Sequence, residues 1–272
     1  MRTTMMGSMA VELPDDPGPA GREGYGHIAF EKLPNTRDLG GMVGADGRRI
    51  KPGLLLRSGA LGFASDADLI RLRDEFNLQL VVDLRNDDEL IELPDPMDEF
   101  FPTARFVHAD ILQGSAEGIS QEAEARVRRA QERAREANDP VVFMEMLYPH
   151  LLLDEAGIMG YQGFISALLA CEEGAALWHC HVGRDRCGMA SALVQAALGV
   201  SRADMENDYL ATNLYAPTEL TVDGPASLRS FGAVMAEVER SYGSLLGYIV
   251  DELEFPMADI EELRERYLEP AA

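Results

Sequence analysis

This sequence is poor in cysteine and lacks long apolar runs. Its 272 residues include three cysteines, at positions 171, 180 and 187, and an odd, low count excludes a disulfide framework and favours a reducing compartment. No apolar run approaches the roughly 20 residues that a membrane-spanning helix needs, and residues 1–10 lack the apolar segment of a secretory signal. We therefore expect a cytoplasmic protein without stable membrane insertion, although export by an unconventional route would leave no sequence signal.

Positive charge is also scarce. The chain has 24 Lys and Arg against 47 Asp and Glu, a formal net charge of −23, and its lysines are Lys32 and Lys51. A strongly negative field repels polyanions, so nucleic acid is excluded as a bulk partner. One pocket can still be locally positive on an acidic protein, which keeps a phosphorylated protein or phospholipid open as a substrate. The oligomeric state has no signal in the sequence.

Residues 1–24 are rich in proline and glycine, which predicts a flexible N-terminal tail before one globular domain over residues 25–272. In that domain, apolar runs predict buried strands at 54–56, 80–84 and 175–178, with a weaker candidate at 105–109. Helical patterns alternate with these strands. Two examples are the segments that follow Ser65 and Ser201, which we predict to be N-caps. The alternation predicts an α/β fold with a central, mostly parallel sheet flanked by helices.

Two regions are more helical than this core requires. Residues 121–137 carry Glu and Arg at helical spacing and lead into an apolar stretch from Met144 to Leu153. This pattern predicts either a solvated surface helix or the start of a helical lid over residues 115–160, and we adopt the lid. Residues 225–268 predict two or three additional C-terminal helices packed on the sheet.

The segment from Trp178 to Ala190 carries the chemistry. A predicted strand enters it, an apolar helix leaves it at Gly188, and five residues separate Cys180 from Arg186. A loop of this length at a strand-to-helix junction can turn its backbone N–H groups toward one point, which makes an anion site at the positive end of the helix. Gly183 permits the bend, and Arg186 can close the ring with a guanidinium fork that matches phosphate oxygens.

Cys180 is the candidate nucleophile of this loop. The positive field favours thiolate over thiol, and a thiolate beneath a bound phosphate is aligned for attack. The simpler alternative is a buried structural thiol. His179 and His181 flank the cysteine, but alternating residues without a second ligand cluster do not make a zinc site. We expect neither a metal nor an organic cofactor.

The loop resembles that of the protein tyrosine phosphatases, whose pattern is His-Cys-x5-Arg. The fuller match is to the bacterial tyrosine/serine phosphatase family that includes the mycobacterial phosphatase B type, with its His-Cys-x-x-Gly-Lys-Asp-Arg-Thr-Gly loop. Further landmarks resemble this family at residues 35–41, 53–59, 82–85 with Glu89, 208–209 and 242–248, so the resemblance covers about residues 28–270. It implies the phosphatase fold, a catalytic domain over residues 25–272, and metal-independent hydrolysis of phosphate monoesters.

The resemblance also implies a set of phosphate-binding loop residues: His181, Val182, Gly183, Arg184 and Cys187. Two of them depart from the family pattern, since Arg184 replaces a lysine and Cys187 replaces a threonine or serine. Arg184 keeps the cation. A thiol is a weaker donor than the hydroxyl that eases breakdown of the phosphoenzyme, so Cys187 predicts a slower second step, or a redox role in which it forms a disulfide with Cys180.

The resemblance points to Asp185, inside the loop, as the proton donor. A carboxyl beside a bound phosphate feels its negative charge and keeps its proton more readily. The alternative is that Asp185 only hydrogen-bonds the loop. Asp83 is its rival, because it ends an apolar strand where an uncovered carboxylate is costly, and its alternative role is that of a structural partner for a backbone or arginine group. Asp110 is a third, weaker candidate.

Further cations are candidates for the pocket. Arg85 follows Asp83 at the carboxyl end of a strand, where α/β sheets place ligand sites, and we expect both residues to take part in substrate binding. Arg57 and Arg37 either reach the pocket or pair with some of the many carboxylates.

These residues predict a cysteine-dependent protein tyrosine phosphatase of broad specificity, extending to phosphoserine, phosphothreonine or phosphoinositides. Two other classes stay open. Cys187 permits a phospho-ligand binding or scaffold protein with weak catalysis. A single-turnover burst with an aryl phosphate would distinguish an active phosphatase from this class. Cys171 and Cys187 permit a thiol-based oxyanion reductase, such as an arsenate reductase, which arsenate-dependent thiol consumption would reveal.

Overall fold

The computed structural model describes residues 2–6, 9–15, 18–19, 22–112, 121–139, 141–217 and 224–270. Its strands are β1 (Arg2–Met6), β2 (Met9–Leu13), β3 (Arg37–Asp38), β4 (Leu55–Ser58), β5 (Leu78–Asp83), β6 (Arg105–His108) and β7 (Ala175–His179). Its α-helices are α1 (Asp66–Asp74), α2 (Asp87–Glu92), α3 (Met97–Phe100), α4 (Gln121–Ala137), α5 (Val141–Leu147), α6 (His150–Leu153), α7 (Glu155–Leu169), α8 (Asp185–Ala197), α9 (Arg202–Leu210), α10 (Thr212–Tyr215), α11 (Leu228–Tyr242), α12 (Leu245–Asp251) and α13 (Met257–Tyr267).

Five strands form the central sheet, in the order β3-β4-β7-β5-β6. β3 runs antiparallel to β4, and the β4–β7, β7–β5 and β5–β6 pairs are parallel. The predicted α/β fold with a mostly parallel sheet is therefore confirmed, and the four predicted strand segments correspond to β4, β5, β6 and β7.

Side chains on the strands alternate between two apolar layers. Leu80 of β5 and Trp178 of β7 belong to the larger core, whereas their neighbours Val81 and Leu177 belong to the smaller one. Successive side chains of a strand point to opposite faces, and a parallel sheet covered on both faces needs apolar residues at nearly every position. That requirement explains why these strands read as unbroken apolar runs in the sequence.

The carboxyl ends of β4, β5 and β7 meet at one edge of the sheet. His179, at the end of β7, lies opposite Ser58 of β4 and Asp83 of β5. Cys180 is the next residue along the chain, and α8 begins at Asp185 rather than at Gly188 as the apolar pattern predicts. The residues after the loop therefore enter the first turn of α8, directly beside the strand ends.

The remaining helices follow the sequence closely. α4 has the bounds that the Glu and Arg pattern predicts, and α11, α12 and α13 account for the predicted C-terminal helices. The segments α4, α5 and α6 fall in the region predicted to be a lid, whose limits stay a prediction. None of the described helices combines the length and the apolar composition that crossing a bilayer requires.

The N-terminal segment contains two strands in its described part, and the flexibility predicted for residues 1–24 stays a prediction. In its described part, β1 and β2 pair as an antiparallel hairpin. Glu12 fastens this hairpin to the rest of the domain: its Oε2 accepts from the Leu228 backbone N–H at 2.6 Å, and its carbonyl oxygen accepts from Asn213 Nδ2 at 2.7 Å. Strand formation here depends on tertiary partners, which local composition does not reveal.

Candidate active site

The loop between β7 and α8 offers unpaired backbone donors. Among the described residues, none accepts from the N–H groups of residues 181–186, whereas the carbonyl oxygens of residues 181–183 are all bound. The Ala60 N–H donates to the His181 carbonyl at 3.0 Å, and Asn35 Nδ2 donates to the Val182 carbonyl at 2.9 Å. Because the scaffold holds the carbonyls, the loop keeps its N–H groups available to an anion.

Gly183 lets this loop pass close to β4. Its φ is +74°, and a Cβ at this position would lie 2.5 Å from the Ser58 carbonyl oxygen. Its own carbonyl accepts from Arg57 Nη2 at 2.8 Å. A side chain would strain the backbone and displace the loop from the strand, so the position requires glycine.

Cys180 and Arg186 lie at the two ends of the loop and are buried, with exposures of 2% and 9%. Glu89 of α2 fixes the guanidinium, accepting from Nη1 at 2.5 Å and from Nη2 at 2.8 Å. No described residue accepts from the Nε–H of Arg186, so the edge formed by Nε and the second Nη2–H is available to an oxyanion. The sequence predicts this pairing of thiol and guanidinium around one loop; their chemical roles stay predictions.

Glu89, which contacts Arg186, was not predicted as a site residue from the sequence. It forms the capping box of α2 with Asn86, whose Oδ1 accepts from the Glu89 N–H at 2.9 Å. Burial raises the pKa of Glu89, but the hydrogen bond and charge of Arg186 outweigh burial and the net shift is downward. Burial lowers the pKa of Arg186, and the bond to Glu89 more than reverses that shift. The pair is therefore ionised.

Beneath the loop, three buried arginines share one carboxylate. Asp208 of α9 accepts from Arg57 at 2.7 Å and from Arg22 at 3.0 Å, and Arg37 Nε lies 3.8 Å away. The four side chains are between 0% and 2% exposed. Burial raises the pKa of Asp208, but the three arginines outweigh it and hold that pKa far below its usual range. Three cations against one anion leave a positive field under the loop.

Cys187 lies in the first turn of α8 with its thiol turned away from solvent. Its Sγ is 3.7 Å from the Trp178 carbonyl oxygen, to which it donates. Burial raises the pKa of this thiol to about 12, although Arg57 opposes the rise. The thiol proton is thus directed at the strand. The slower second step and the disulfide with Cys180 stay predictions.

Asp185 is held through one oxygen. Its Oδ1 accepts from Arg184 Nε at 2.8 Å and also from the Tyr148 hydroxyl. Arg184 is buried, and its Nη1 donates to the Gly224 carbonyl oxygen. Its guanidinium is therefore engaged by a carboxylate and the backbone, and its contact with phosphate stays a prediction.

Asp83 and Arg85 form a sealed ion pair behind the loop. Arg85 donates to Asp83 Oδ2 at 2.7 Å and to the Leu93 carbonyl oxygen at 2.7 Å, and both charged side chains are 0% exposed. This is the structural partnership that the sequence analysis gave as the alternative role of Asp83. The geometry favours positioning over substrate contact for both residues. Asp110, the third acid candidate, accepts from the Leu112 N–H within its own loop at 2.8 Å.

One group of described side chains has a spacing that suits a metal ion. Asp83, Asp95 and His179 offer ligand atoms within 4.8 Å of one another. However, His179 Nε2 lies 2.8 Å from one Asp95 oxygen, and Arg85 Nη2 lies 3.2 Å from the other. Burial lowers the pKa of His179, but the two carboxylates outweigh it and raise that pKa. Cations of the protein already balance these carboxylates, so the cluster fits a closed ion network better than a metal site.

A pocket of about 160 Å³ adjoins the loop. Its walls are mainly apolar and include Leu33, Pro34, Phe63, Val182 and Pro217, with the ring of His181 and the side chain of Lys32. The Phe63 and His181 rings meet edge to face, with centroids 5.2 Å apart. An apolar pocket beside an anion site suits a phosphorylated side chain with an apolar body.

Sequence reasoning missed several residues that support the loop. The sequence offered a reason to assign Asn35 and Asp208 to the site, because both lie in segments that resemble landmarks of the phosphatase family. It offered no such reason for Arg22 and Tyr148, because their segments are predicted to be a tail and a lid, respectively. Their partners, Asp208 and Asp185, are 186 and 37 residues away in the sequence.

Two comparisons with known proteins agree with this geometry. The sequence model of the tyrosine phosphatase family matches residues 28–269. A protein of Cupriavidus necator whose name places it among the tyrosine-protein phosphatases is 31% identical over 274 residues, which cover 94% of this chain and 93% of the relative. Since both matches span nearly the whole domain that builds the loop, this chain belongs to the tyrosine phosphatase family.

Proposed function

We propose that this chain is a protein tyrosine phosphatase of the mycobacterial phosphatase B type and that it works through a cysteinyl-phosphate intermediate. One observation carries the proposal: between a buried cysteine and a buried arginine, the N–H groups of residues 181–186 have no partner among the described residues. Such donors match the equatorial oxygens of a transferring phosphoryl group. The three arginines around Asp208 add positive charge beneath the loop, which suits a bound oxyanion.

The first step transfers the phosphoryl group to the enzyme. The Cys180 thiolate attacks phosphorus, the bond between phosphorus and the phenolic oxygen breaks, and the electron pair goes to that oxygen. Asp185 gives it a proton, so tyrosine leaves as the neutral phenol. Arg186 offers its Nε edge to the phosphoryl oxygens, while Glu89 keeps the guanidinium in place.

The second step releases phosphate. Asp185, now a carboxylate, takes a proton from water as the water oxygen attacks phosphorus. The sulfur–phosphorus bond breaks and its electron pair returns to Cys180 as a thiolate. Phosphate leaves and Asp185 keeps the proton, so the enzyme is ready for another cycle.

The surroundings of the loop favour phosphotyrosine in a peptide over a phosphoinositide. A tyrosine ring provides the apolar body that suits the pocket at Phe63, and phosphoserine does not. Asp87, Asp88 and Glu92 are exposed on α2, the helix that also carries Glu89. These carboxylates and the net charge of −23 repel an anionic membrane and a headgroup with several phosphates.

The test is a substrate panel with the Cys180→Ser variant as blank. We expect fastest turnover with a phosphotyrosyl peptide, slower turnover with a phosphoseryl peptide and slowest with a phosphoinositide. Rapid mixing with an aryl phosphate should give a burst, and mass spectrometry of acid-quenched enzyme should find one phosphoryl group on Cys180. Wild-type turnover by the serine variant would refute the mechanism. Binding without a burst would support the scaffold alternative, and arsenate-dependent thiol consumption would support the reductase.

A further inference from the structure

We infer that Tyr148 is the positioning residue that orients the Asp185 carboxyl, so that Oδ2 is the oxygen that carries the transferred proton. This inference rests on the proposed function, because it takes Asp185 as the acid. It adds a residue from the predicted lid to the machinery of the loop.

The hydroxyl groups of two tyrosines form a chain that ends on Asp185. The Tyr148 hydroxyl donates to Asp185 Oδ1, and the Tyr209 hydroxyl lies 2.6 Å from the Tyr148 hydroxyl. Both tyrosines are buried. Because Tyr148 uses its single proton on Asp185, it must accept from Tyr209, and this fixes the direction of every bond in the chain.

The two oxygens of Asp185 therefore have different environments. Oδ1 accepts from Tyr148 and from Arg184 Nε, whereas none of the described residues donates to Oδ2. A proton added to the carboxyl goes to the oxygen that is not already saturated by donors, which is Oδ2. The side chain keeps 22% exposure, so this oxygen can be reached by a leaving group or by water.

Tyr148 itself stays protonated throughout the reaction. Burial and the neighbouring charge of Asp185 raise the pKa of Tyr148 well above its ordinary value. It therefore holds Oδ1 as a permanent donor and does not exchange protons with the substrate. Its ring packs edge to face against Tyr209 with centroids 6.3 Å apart, which restricts the hydroxyl to one position.

The position of Tyr148 depends on the segment before it. Tyr148 follows α5 directly, and Arg229 of α11 binds both ends of that segment, pairing with Asp139 at 2.5 Å and with Glu145 at 2.5 Å. Tyr148 therefore follows a helix that is joined to α11 by these two partly exposed ion pairs.

The experiment measures how kcat/KM depends on the leaving group. Phenyl phosphate needs a proton on its leaving oxygen, and 2,4-dinitrophenyl phosphate does not. We expect Tyr148→Phe to lower kcat/KM roughly tenfold with phenyl phosphate and less than about twofold with the dinitrophenyl ester. Asp185→Asn should show the same pattern with a larger loss, and the double variant should lose no more than Asp185→Asn alone.

Tyr267→Phe is the matched control. Tyr267 is equally buried and its hydroxyl donates to the Leu168 carbonyl at 3.0 Å, far from the loop in the C-terminal helix α13. The Tyr267→Phe variant should leave kcat/KM unchanged with both esters. It should lower the melting temperature as much as Tyr148→Phe does. If Tyr148→Phe does not fold, Tyr209→Phe removes the donor to Tyr148 and should give the same pattern at about threefold.

Four results would overturn the inference. An equal loss with both esters in Tyr148→Phe would make the residue merely structural. A full additional loss in the double variant would show that it acts independently of Asp185. A leaving-group effect in Asp185→Asn but not in Tyr148→Phe would leave the proposed acid intact and remove Tyr148 alone. The absence of that effect in Asp185→Asn would instead remove the acid, and this inference with it.

Discussion

Replacing Asp208 by asparagine should strongly destabilise this chain. Its two oxygens each accept from a different arginine, Oδ2 from Arg57 at 2.7 Å and Oδ1 from Arg22 at 3.0 Å. Whichever way an asparagine amide is turned, its NH2 group faces a guanidinium donor. Arg37 and its neighbours then remain as buried cations without an anion, and breaking a buried ion pair from one side costs about 3–5 kcal/mol.

That loss is a large part of the about 5–15 kcal/mol by which domains are stable. Urea unfolding, followed by tryptophan fluorescence from the single Trp178, should therefore show a free energy of unfolding lower by about 3–5 kcal/mol at an unchanged m-value. Phosphatase activity should fall as well, because Arg57 also donates to the Gly183 carbonyl of the loop.

Glu206→Gln, two residues earlier on α9, is the control for this experiment. Glu206 pairs with Arg202 at 2.7 Å, but both side chains are about one-third exposed. An exposed pair of this kind contributes only about 0.2–1 kcal/mol. If the two variants lose similar amounts of stability, or if Asp208→Asn loses less than about 1 kcal/mol, the reasoning about the buried cluster is refuted.

Three further outcomes are expected. Asp208 has a pKa far below its usual range in the folded chain, so its contribution to stability is complete above the unfolded value of about 3.9 and is lost as the pH falls below it. Wild-type stability should therefore decline more steeply than that of Asp208→Asn between about pH 4 and pH 2, measured as urea midpoints, and parallel curves would contradict this. Glu89→Gln should lower kcat/KM roughly tenfold to a hundredfold by loosening Arg186, with the exposed Glu92→Gln on the same helix unchanged; equal rates in all three proteins would remove Glu89 from the site. Cys187→Ser should speed phosphoenzyme breakdown and alter inactivation by peroxide, and a variant with unchanged turnover and unchanged peroxide sensitivity would dismiss both roles of Cys187.

The loop from Cys180 to Arg186 could be predicted from the sequence because its backbone path follows from local features. A strand that ends at His179, a glycine at position 183 and a helix that follows within a few residues fix the path of the backbone. The spacing from Cys180 to Arg186 then places thiol and guanidinium around the same donors. Apolar periodicity likewise predicted the sheet and most helices, since burial on both faces demands it.

Only the tertiary structure determined which charged side chains pair with one another. The sequence makes Arg184 and Arg85 candidates for phosphate binding and leaves Arg57 open, but the fold seals Arg85 against Asp83, pairs Arg57 with Asp208 and turns Arg184 to Asp185. The physical reason is that a buried ion needs a counter-ion in the same low-dielectric space. Which ions share that space depends on how distant segments pack, and a single sequence does not encode this in any local pattern.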